Sequence, residues 1–339
     1  MYSWLRNGLF LLPPEVAHDL ALKSLARGRI VGLPRLLGGC RQTAAVETLG
    51  LSFPNPVGLA AGLDKNGDYI DALGDLGFGF IEVGTVTPRP QPGNPKPRMF
   101  RLPEHQALIN RLGFNNKGVD YLVERLKLRR FKGIVGANIG KQKDTPVEKA
   151  ADDYRHCLDR VYPHCDYITV NISSPNTANL RALQDTGPLQ ELLAELRSLG
   201  DDLASQHELK RPILVKIAPD WEAQALESSL DVIGQSGMDG LIATNTTLDR
   251  EAVAGHRHAT ESGGLSGAPV KPAADRVLTM ARRVLGPEFP IIGLGGITSG
   301  EDAADKKAAG ASLVQIYTGF IYRGPTLIGE CVSAWQESD

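Results

Sequence analysis

Clustered cysteine, net charge and long apolar runs are all scarce in this chain of 339 residues. Its four cysteines, Cys40, Cys157, Cys165 and Cys331, form no CxxC pair and no metal-ligand spacing. In a chain this long with a core of its own they read as reduced thiols of a cytosolic compartment. A formal charge of −2 gives no footing for nucleic acid. No apolar stretch approaches the roughly 20 residues of a spanning helix. The N-terminus does not read as a secretory signal either, because Arg6 and Pro13–Pro14 interrupt its apolar stretch and no small-residue cleavage site follows. What remains, 42% apolar and 22% charged residues, is ordinary for a globular protein with a sizeable core.

The small net charge conceals an asymmetry. Residues 1–42 hold six basic side chains (Arg6, Lys23, Arg27, Arg29, Arg35, Arg41) against Glu15 and Asp19, which leaves that segment at +4 and the remainder at −6. Tyr2 to Leu12 reads as a first helix ended by Pro13–Pro14, and Glu15 to Arg27 as a second, stopped by Gly28. Gly32, Pro34, Gly38 and Gly39 then suggest a linker. A basic, apolar front end suits a membrane surface as well as it suits a solvated helix face.

From about residue 44 the pattern changes to short β-prone runs, most of them separated by amphipathic helical segments. Eight runs stand out: Val57–Ala60, Phe80–Val83, Ile134–Ile139, Tyr167–Ile172, Ile213–Ile217, Gly240–Thr244, Ile291–Leu294 and Leu313–Ile316. Helices are expected at Pro188–Leu203, Trp221–Ser236 and Pro272–Leu285. Strands alternating with helices imply a parallel sheet, and eight units imply an α/β fold of the (β/α)8 TIM-barrel class over residues 43–339, with a two-helix extension over 1–42. A doubly wound open sheet is the alternative. Thr87–Phe114 is an insertion too irregular for one helix.

In such a barrel the site is built from the C-terminal ends of the strands. Those ends carry Asp64, Lys65 and Asn66, then Thr85, Asn138, Asn171 with Ser173–Ser174–Pro175–Asn176, Lys216, Thr244–Asn245–Thr246, Gly295–Gly296 and Tyr317–Thr318–Gly319. No histidine and no acidic cluster stands among them, which argues against a divalent-metal site. Asn138, Asn171, Asn176 and Asn245 offer donors and acceptors for a flat heterocycle, and Lys65 and Lys216 offer charge for a carboxylate or developing anion. Gly295–Gly296 and Thr318–Gly319 fall where barrels commonly hold a cofactor phosphate. A phosphate-bearing planar cofactor beside Lys216 points to FMN, with pyridoxal phosphate on Lys216 or Lys65 as the competitor.

The stretches NPVGLAAGLDKNG (55–67), EVGTVTPRPQPGNPKPR (82–98), INRLGFNN (109–116), NISSPNT (171–177), VKIAPD (215–220), ATNTT (243–247), GGLSG (263–267) and GLGGI (293–297) resemble dihydroorotate dehydrogenase, in the family's order and across the whole chain. Ser174 occupies the position of the catalytic base, which is serine in the membrane-associated, quinone-dependent class 2 and cysteine in soluble class 1. The resemblance implies FMN held by Ala61, Gly62, Lys65, Thr85, Asn138, Asn171, Lys216, Thr244, Gly267, Gly296, Tyr317 and Thr318. It implies that dihydroorotate meets Lys65, Asn110, Arg111, Leu112, Gly113, Phe114, Asn171, Asn176, Asn245 and Thr246. His18, Arg101 and Tyr317 match positions of a quinone tunnel, and residues 1–40 match the helical extension that forms it. Thr318 departs from the family, standing where a serine is common.

The implied reaction removes a proton from C5 of dihydroorotate and a hydride from C6, yields orotate for UMP synthesis, and ends at quinone with ping-pong kinetics. The expected setting is peripheral, in contact with lipid at the cytoplasmic face of a bacterial inner membrane. The rival readings are another FMN barrel acting on a pyrimidine and a catalytically silent membrane-docking barrel. An enzyme acting on tRNA would show a basic face, and the body of this chain is acidic.

Overall fold

The computed structural model describes residues 2–38 and 44–338. Cys40 and the boundary expected between residues 42 and 43 lie outside those residues.

Eight parallel strands close a barrel: β1 (Val57–Leu59), β2 (Phe80–Val86), β3 (Ile134–Ile139), β4 (Tyr167–Asn171), β5 (Ile213–Ile217), β6 (Gly240–Ala243), β7 (Ile291–Leu294) and β8 (Leu313–Ile316). Each strand pairs with the next in sequence, and β8 returns to β1 through Val314 beside Val57. Their near-continuous Val, Ile and Leu content follows from burial on both faces. The expected runs and the observed strands agree to within one residue at their ends, except that β2 continues three residues further, to Val86.

The barrel interior is packed solid at its N-terminal end. A hairpin of Val46–Thr48 and Leu51–Phe53 closes it, and Phe53 stacks edge-on to Phe80 at 5.2 Å, with Phe80 against Tyr167 at 6.3 Å. Gly58 and Gly136 lie opposite those rings, and a methyl group at either would fall inside the neighbouring ring. Large side chains on some strands are thus accommodated by glycine on their neighbours.

The insertion after β2 forms no α-helix, only a 3-10 turn at Pro103–His105 between two strands. Met99–Leu102 and Ala107–Asn110 form an antiparallel pair, which Gly264–Gly267 from the β6–β7 connection extends to three strands over the mouth. Helices including Thr186–His207, Ala223–Gln235 and Lys271–Leu285 surround the barrel. The first two reach two residues beyond and two residues inside the expected starts, as helix ends commonly do.

At the N-terminus, α1 (Tyr2–Phe10) and α2 (Pro14–Gly28) appear where the proline pair and Gly28 place them. The expected linker is instead ordered as a 3-10 turn at Arg29–Val31 and a short helix α3 (Leu33–Gly38). Glycine and proline are compatible with both readings: Gly32 takes the left-handed turn that separates the two pieces (φ 74°) and Pro34 sits in the first turn of α3. Among the described residues no helix is long and apolar enough to cross a membrane, and no group of three or more His, Cys, Asp or Glu side chains is arranged to hold a metal.

Candidate active site

The site rises from a buried carboxylate. Glu82, fully enclosed on β2, accepts from Asn138 Nδ2 (2.7 Å), Tyr167 Oη (3.0 Å), Thr169 Oγ1 (3.1 Å) and Gln315 Nε2 (2.8 Å). Four donors on one carboxylate hold the strand ends in register across the barrel. Above it, Asn138 Oδ1 accepts from Thr85 Oγ1 (2.5 Å) and from Asn171 Nδ2 (3.3 Å), and Asn171 Nδ2 also reaches Thr85 Oγ1 (3.0 Å). Asn171 Oδ1 accepts from Ser173 Oγ (3.1 Å), which in turn accepts from Asn245 Nδ2 (3.0 Å). Three of the four asparagines expected at the strand ends, Asn138, Asn171 and Asn245, are joined in one network, and Asn176 stands outside it.

This network borders a cleft of about 1010 Å³, counted with the open space at its mouth. Two lysines project into it. Lys65 Nζ donates to Gly62 O at 2.7 Å, and burial together with the charge of Arg98 pushes its ammonium down to about 8. The loop beneath it is pinned by Asp64, whose oxygens accept the Asp68 and Tyr69 N–H groups (2.9 and 2.7 Å) and whose own acidity is weakened to about 6 by burial. Lys216 is lowered by burial and partly restored by Glu82, and no protein acceptor is bonded to its Nζ among the described residues. A buried cation without an acceptor calls for an anionic or electron-rich ligand.

On the β7–β8 side the cleft is walled by backbone. Gly295 and Gly296 take positive φ (111° and 81°), and a side chain at Gly296 would collide with Lys271. Their N–H groups, and those of Thr318 and Gly319 at the start of helix Thr318–Arg323, have no protein acceptor among the described residues. Thr318 Oγ1 donates to Ser266 Oγ at 2.9 Å, joining this wall to the overlying sheet. The donor-rich wall is suited to a phosphate.

On the opposite side Ser174 is buried, and its Oγ accepts the Asn176 N–H at 3.3 Å. Asn176 Nδ2 lies 3.4 Å from Asn110 Oδ1, so the loop after β4 meets the loop leaving the overlying sheet.

Every expected cofactor residue lines the cleft except Asn138, which sits one layer below and braces Thr85 and Asn171. Every expected substrate residue lines it except Arg111. That side chain turns outward to Glu261 (2.6 Å) and lies over the Phe100 ring at 4.7 Å. Tyr317 belongs to the cleft, where burial raises its phenol to about 12.

His18, on α2, and Arg101, on the strand Met99–Leu102 against the end of α1, lie outside the cleft. His18 is held neutral, down to about 4, by burial and by the charge of Lys65, with Glu15 opposing. Arg101 donates to the carbonyls of Phe10 (3.2 Å) and Leu12 (2.8 Å), and its guanidinium covers the Phe10 ring at 4.4 Å. Sequence reasoning missed Gln315, Ser266, Gln91 and Asn94. Gln315 had a legible signal, as the one polar residue in the LVQI strand. Gln91, whose Nε2 donates to the Gly113 and Phe114 carbonyls (both 3.1 Å), and Asn94 stood inside a quoted stretch with no role attached.

The family model described as Dihydroorotate dehydrogenase matches residues 43–335. The chain is 56% identical over 334 residues to a dihydroorotate dehydrogenase (quinone) of Marinobacter nauticus, with 98% of each chain covered. It is 55% identical over 336 residues to one of Azotobacter vinelandii, covering 98% of this chain and 96% of the other. Among solved structures, a DHODH from Eimeria tenella in complex with ferulenol superposes with a TM-score of 0.86 at 38% identity, covering 95% of this chain and 90% of that one.

Proposed function

Because the chain belongs to the dihydroorotate dehydrogenase family, we propose that it oxidises dihydroorotate to orotate, for UMP synthesis, and delivers the electrons to a membrane quinone. The family is flavin-dependent, and two features of this site fit FMN. Lys216 is a buried cation lacking a protein acceptor, and the Gly295–Gly296 and Thr318–Gly319 backbone supplies free donors for a phosphate. Ala61, Gly62, Lys65, Thr85, Asn171, Lys216, Thr244, Gly267, Gly296, Tyr317 and Thr318 would hold it, with Asn138 bracing them from below. When bound, FMN supplies the acceptor for the hydride that leaves C6 of the substrate.

The other roles fall to side chains. Ser174 takes the proton from C5 while passing its own hydroxyl proton on to water, and the Asn176 N–H on its Oγ stabilises the alkoxide character this requires. A free serine hydroxyl is a poor base, so this donor and the polarisation of the substrate by Lys65 lower the barrier. Asn110, Asn171, Asn176 and Asn245 offer the alternating donors and acceptors that a pyrimidine ring matches, and Lys65 offers charge for its carboxylate. The sheet of residues 99–110 and 264–267 lies over part of the mouth and narrows the approach of water.

Quinone would approach between α1–α2 and the barrel, past His18, Arg101 and Tyr317. Two of the three are uncharged near neutral pH, which suits an uncharged ring. Trp4, Leu11, Ile30, Val31 and Leu36 are each more than 80% exposed, and Lys23, Arg27, Arg29 and Arg35 share the same segment, Arg29 and Arg35 paired with Asp75. That combination supports peripheral contact with lipid, at the cytoplasmic face of a bacterial inner membrane.

The observation that carries the reading is Ser174 buried in the same cleft as Lys65 and Lys216. The test is anaerobic mixing of purified protein with dihydroorotate, followed by quinone, while flavin absorbance is watched. Bleaching and then recovery is the expected result. A yellow protein that dihydroorotate leaves unbleached would reassign the substrate, and a colourless one would remove the flavin.

A further inference from the structure

One chain of contacts crosses from the extension to the dihydroorotate side. Glu15, in the first turn of α2, accepts from Arg98 Nε and Nη2, both at 2.9 Å, and lies 3.6 Å from Lys96 Nζ. Arg98 is buried, and its Nη1 donates to Pro92 O (2.7 Å) and Asn94 O (2.9 Å). Its carbonyl accepts the Arg111 N–H at 2.9 Å. Asn94 continues the chain: its N–H donates to Leu112 O (3.1 Å), and its Nδ2 to Arg111 O (2.9 Å) and Asn176 O (3.3 Å). Gly113, with φ 70°, leaves the room this amide occupies, since a side chain there would lie 2.7 Å from it. Asn176 is the residue whose N–H reaches Ser174.

Resting on the function proposed above, we infer that Glu15, Arg98 and Asn94 are positioning residues that tie the seating of α2 to the two loops closing the dihydroorotate side. The extension then serves the first half-reaction as well as the quinone step. The argument is mechanical. Arg98 is enclosed and its three nitrogens are satisfied from two directions, by a carboxylate on α2 and by carbonyls of the insertion. Displacing α2 leaves that guanidinium without its counter-charge, so the Pro92–Asn94 turn cannot keep its place unchanged. Asn94 then carries the shift to Arg111, Leu112 and Asn176, all of them in the loops around the substrate. The same carboxylate acts on Lys65, which is faced by Arg98 from the insertion, by Glu15 and Asp19 from α2, and by Asp64 from its own loop. His18 on α2 is the reciprocal neighbour of that lysine.

The test is equilibrium binding of orotate, measured calorimetrically on the flavin-loaded full chain without quinone or vesicles. Glu15→Gln keeps size and most packing on a partly exposed helix turn, so it should fold, as a wild-type melting temperature would verify. It is expected to weaken orotate about tenfold. Asn94→Ala should weaken it as well, and in the Asn94→Ala background Glu15→Gln should cost almost nothing more, because the link it acts through is already cut. A merely structural role would give additive losses or a lowered melting temperature instead. Glu15→Gln binding orotate within twofold of wild type, or strict additivity with Asn94→Ala, overturns the inference. A wild-type protein that binds no orotate would remove the proposed function, and this inference with it.

Discussion

The barrel and the extension are assembled on opposite terms. In the barrel nearly every strand residue is buried, and Glu82 has four donors. In the extension α1 buries no residue and α2 only Ala17 and Leu22. Of the large apolar side chains left exposed among the described residues, all but Leu128 and Leu248 belong to the extension. Polar links hold it down: Tyr2 Oη to Ile321 O (2.7 Å), Arg6 to Tyr322 O (3.0 Å), Arg101 to the end of α1, Arg98 to Glu15, and Arg29 to Asp75 (2.8 Å). Such links contribute about 1 kcal/mol each, whereas burying one large apolar side chain contributes roughly 1.5–3 kcal/mol. The barrel thus carries its own solvent-excluded core, and the extension leaves much of its apolar surface exposed.

The sharpest way to separate the two regions is a change confined to the barrel mouth. Ser174→Ala should lower dihydroorotate-driven flavin reduction about 10²–10⁴-fold while leaving flavin content and quinone-driven reoxidation unchanged. Stopped-flow measurement of the two half-reactions reads both. Reduction within tenfold of wild type would remove Ser174 as the base.

The converse change removes residues 1–40. Quinone reduction should be abolished while the barrel still binds flavin, and orotate should bind more weakly because Glu15 leaves with α2. Undiminished quinone turnover in the truncated protein would end the tunnel assignment for His18 and Arg101. Orotate affinity at the wild-type level would leave the two regions independent, against the strut through Arg98.

A smaller effect tests whether the barrel gives up stability at its mouth by burying Lys216. Lys216 has its acidity raised by burial, so its charged form costs more in the fold than in the unfolded chain. That cost is fully present below the folded-state value, shrinks as pH rises from there toward the ordinary lysine range and is gone above it, so stability should climb with pH across that window. In protein stripped of flavin, Lys216→Met should therefore raise stability at neutral pH, by about 1–4 kcal/mol. Thermal melts at neutral and strongly alkaline pH would show the gain shrinking at the higher pH. The same variant should fail to retain FMN. A less stable variant at neutral pH would mean that packing by the lysine stem outweighs its charge.

The contrast between regions also explains what was legible in the residues alone. All eight barrel strands were readable, because burial on both faces demands unbroken apolar runs that little else produces. The amide ring and the lysines were readable because strand ends have a fixed place in a barrel. Arg111 was not, since a motif places a backbone, and the side chain was decided by Glu261, far away in sequence. Asn138 belongs to the constellation but not to its surface, a difference of one layer that periodicity does not encode. The segment after Gly28 was misread as a linker because Gly and Pro signal chain reversal without saying whether a helix follows, and α3 follows. Asn94 escaped notice because its contribution is a set of bonds to backbone carbonyls, which leave no trace in composition.

The smallest expected effect bears on how the extension lets go. His18 is neutral when α2 is docked, with its proton affinity lowered to about 4 from an ordinary 6.5 by burial and by Lys65. A docked form that refuses a proton which the released form accepts is favoured above pH 6.5 and loses ground as pH falls toward 4. Docking should therefore weaken with acidification, and below about pH 4 the change should level off, since both forms then carry the proton. Glu15, also facing this site, opposes the shift, and the imidazole is only half-buried, so the effect is modest. Limited proteolysis between α1 and α2 should accelerate roughly two- to tenfold from pH 7 to pH 5, after correction for the protease's own pH dependence on an unfolded substrate. His18→Leu should flatten that response while leaving the neutral-pH rate close to wild type. An equal acceleration in His18→Leu would place the pH sensitivity elsewhere, and His18 would then have no part in how the extension is released.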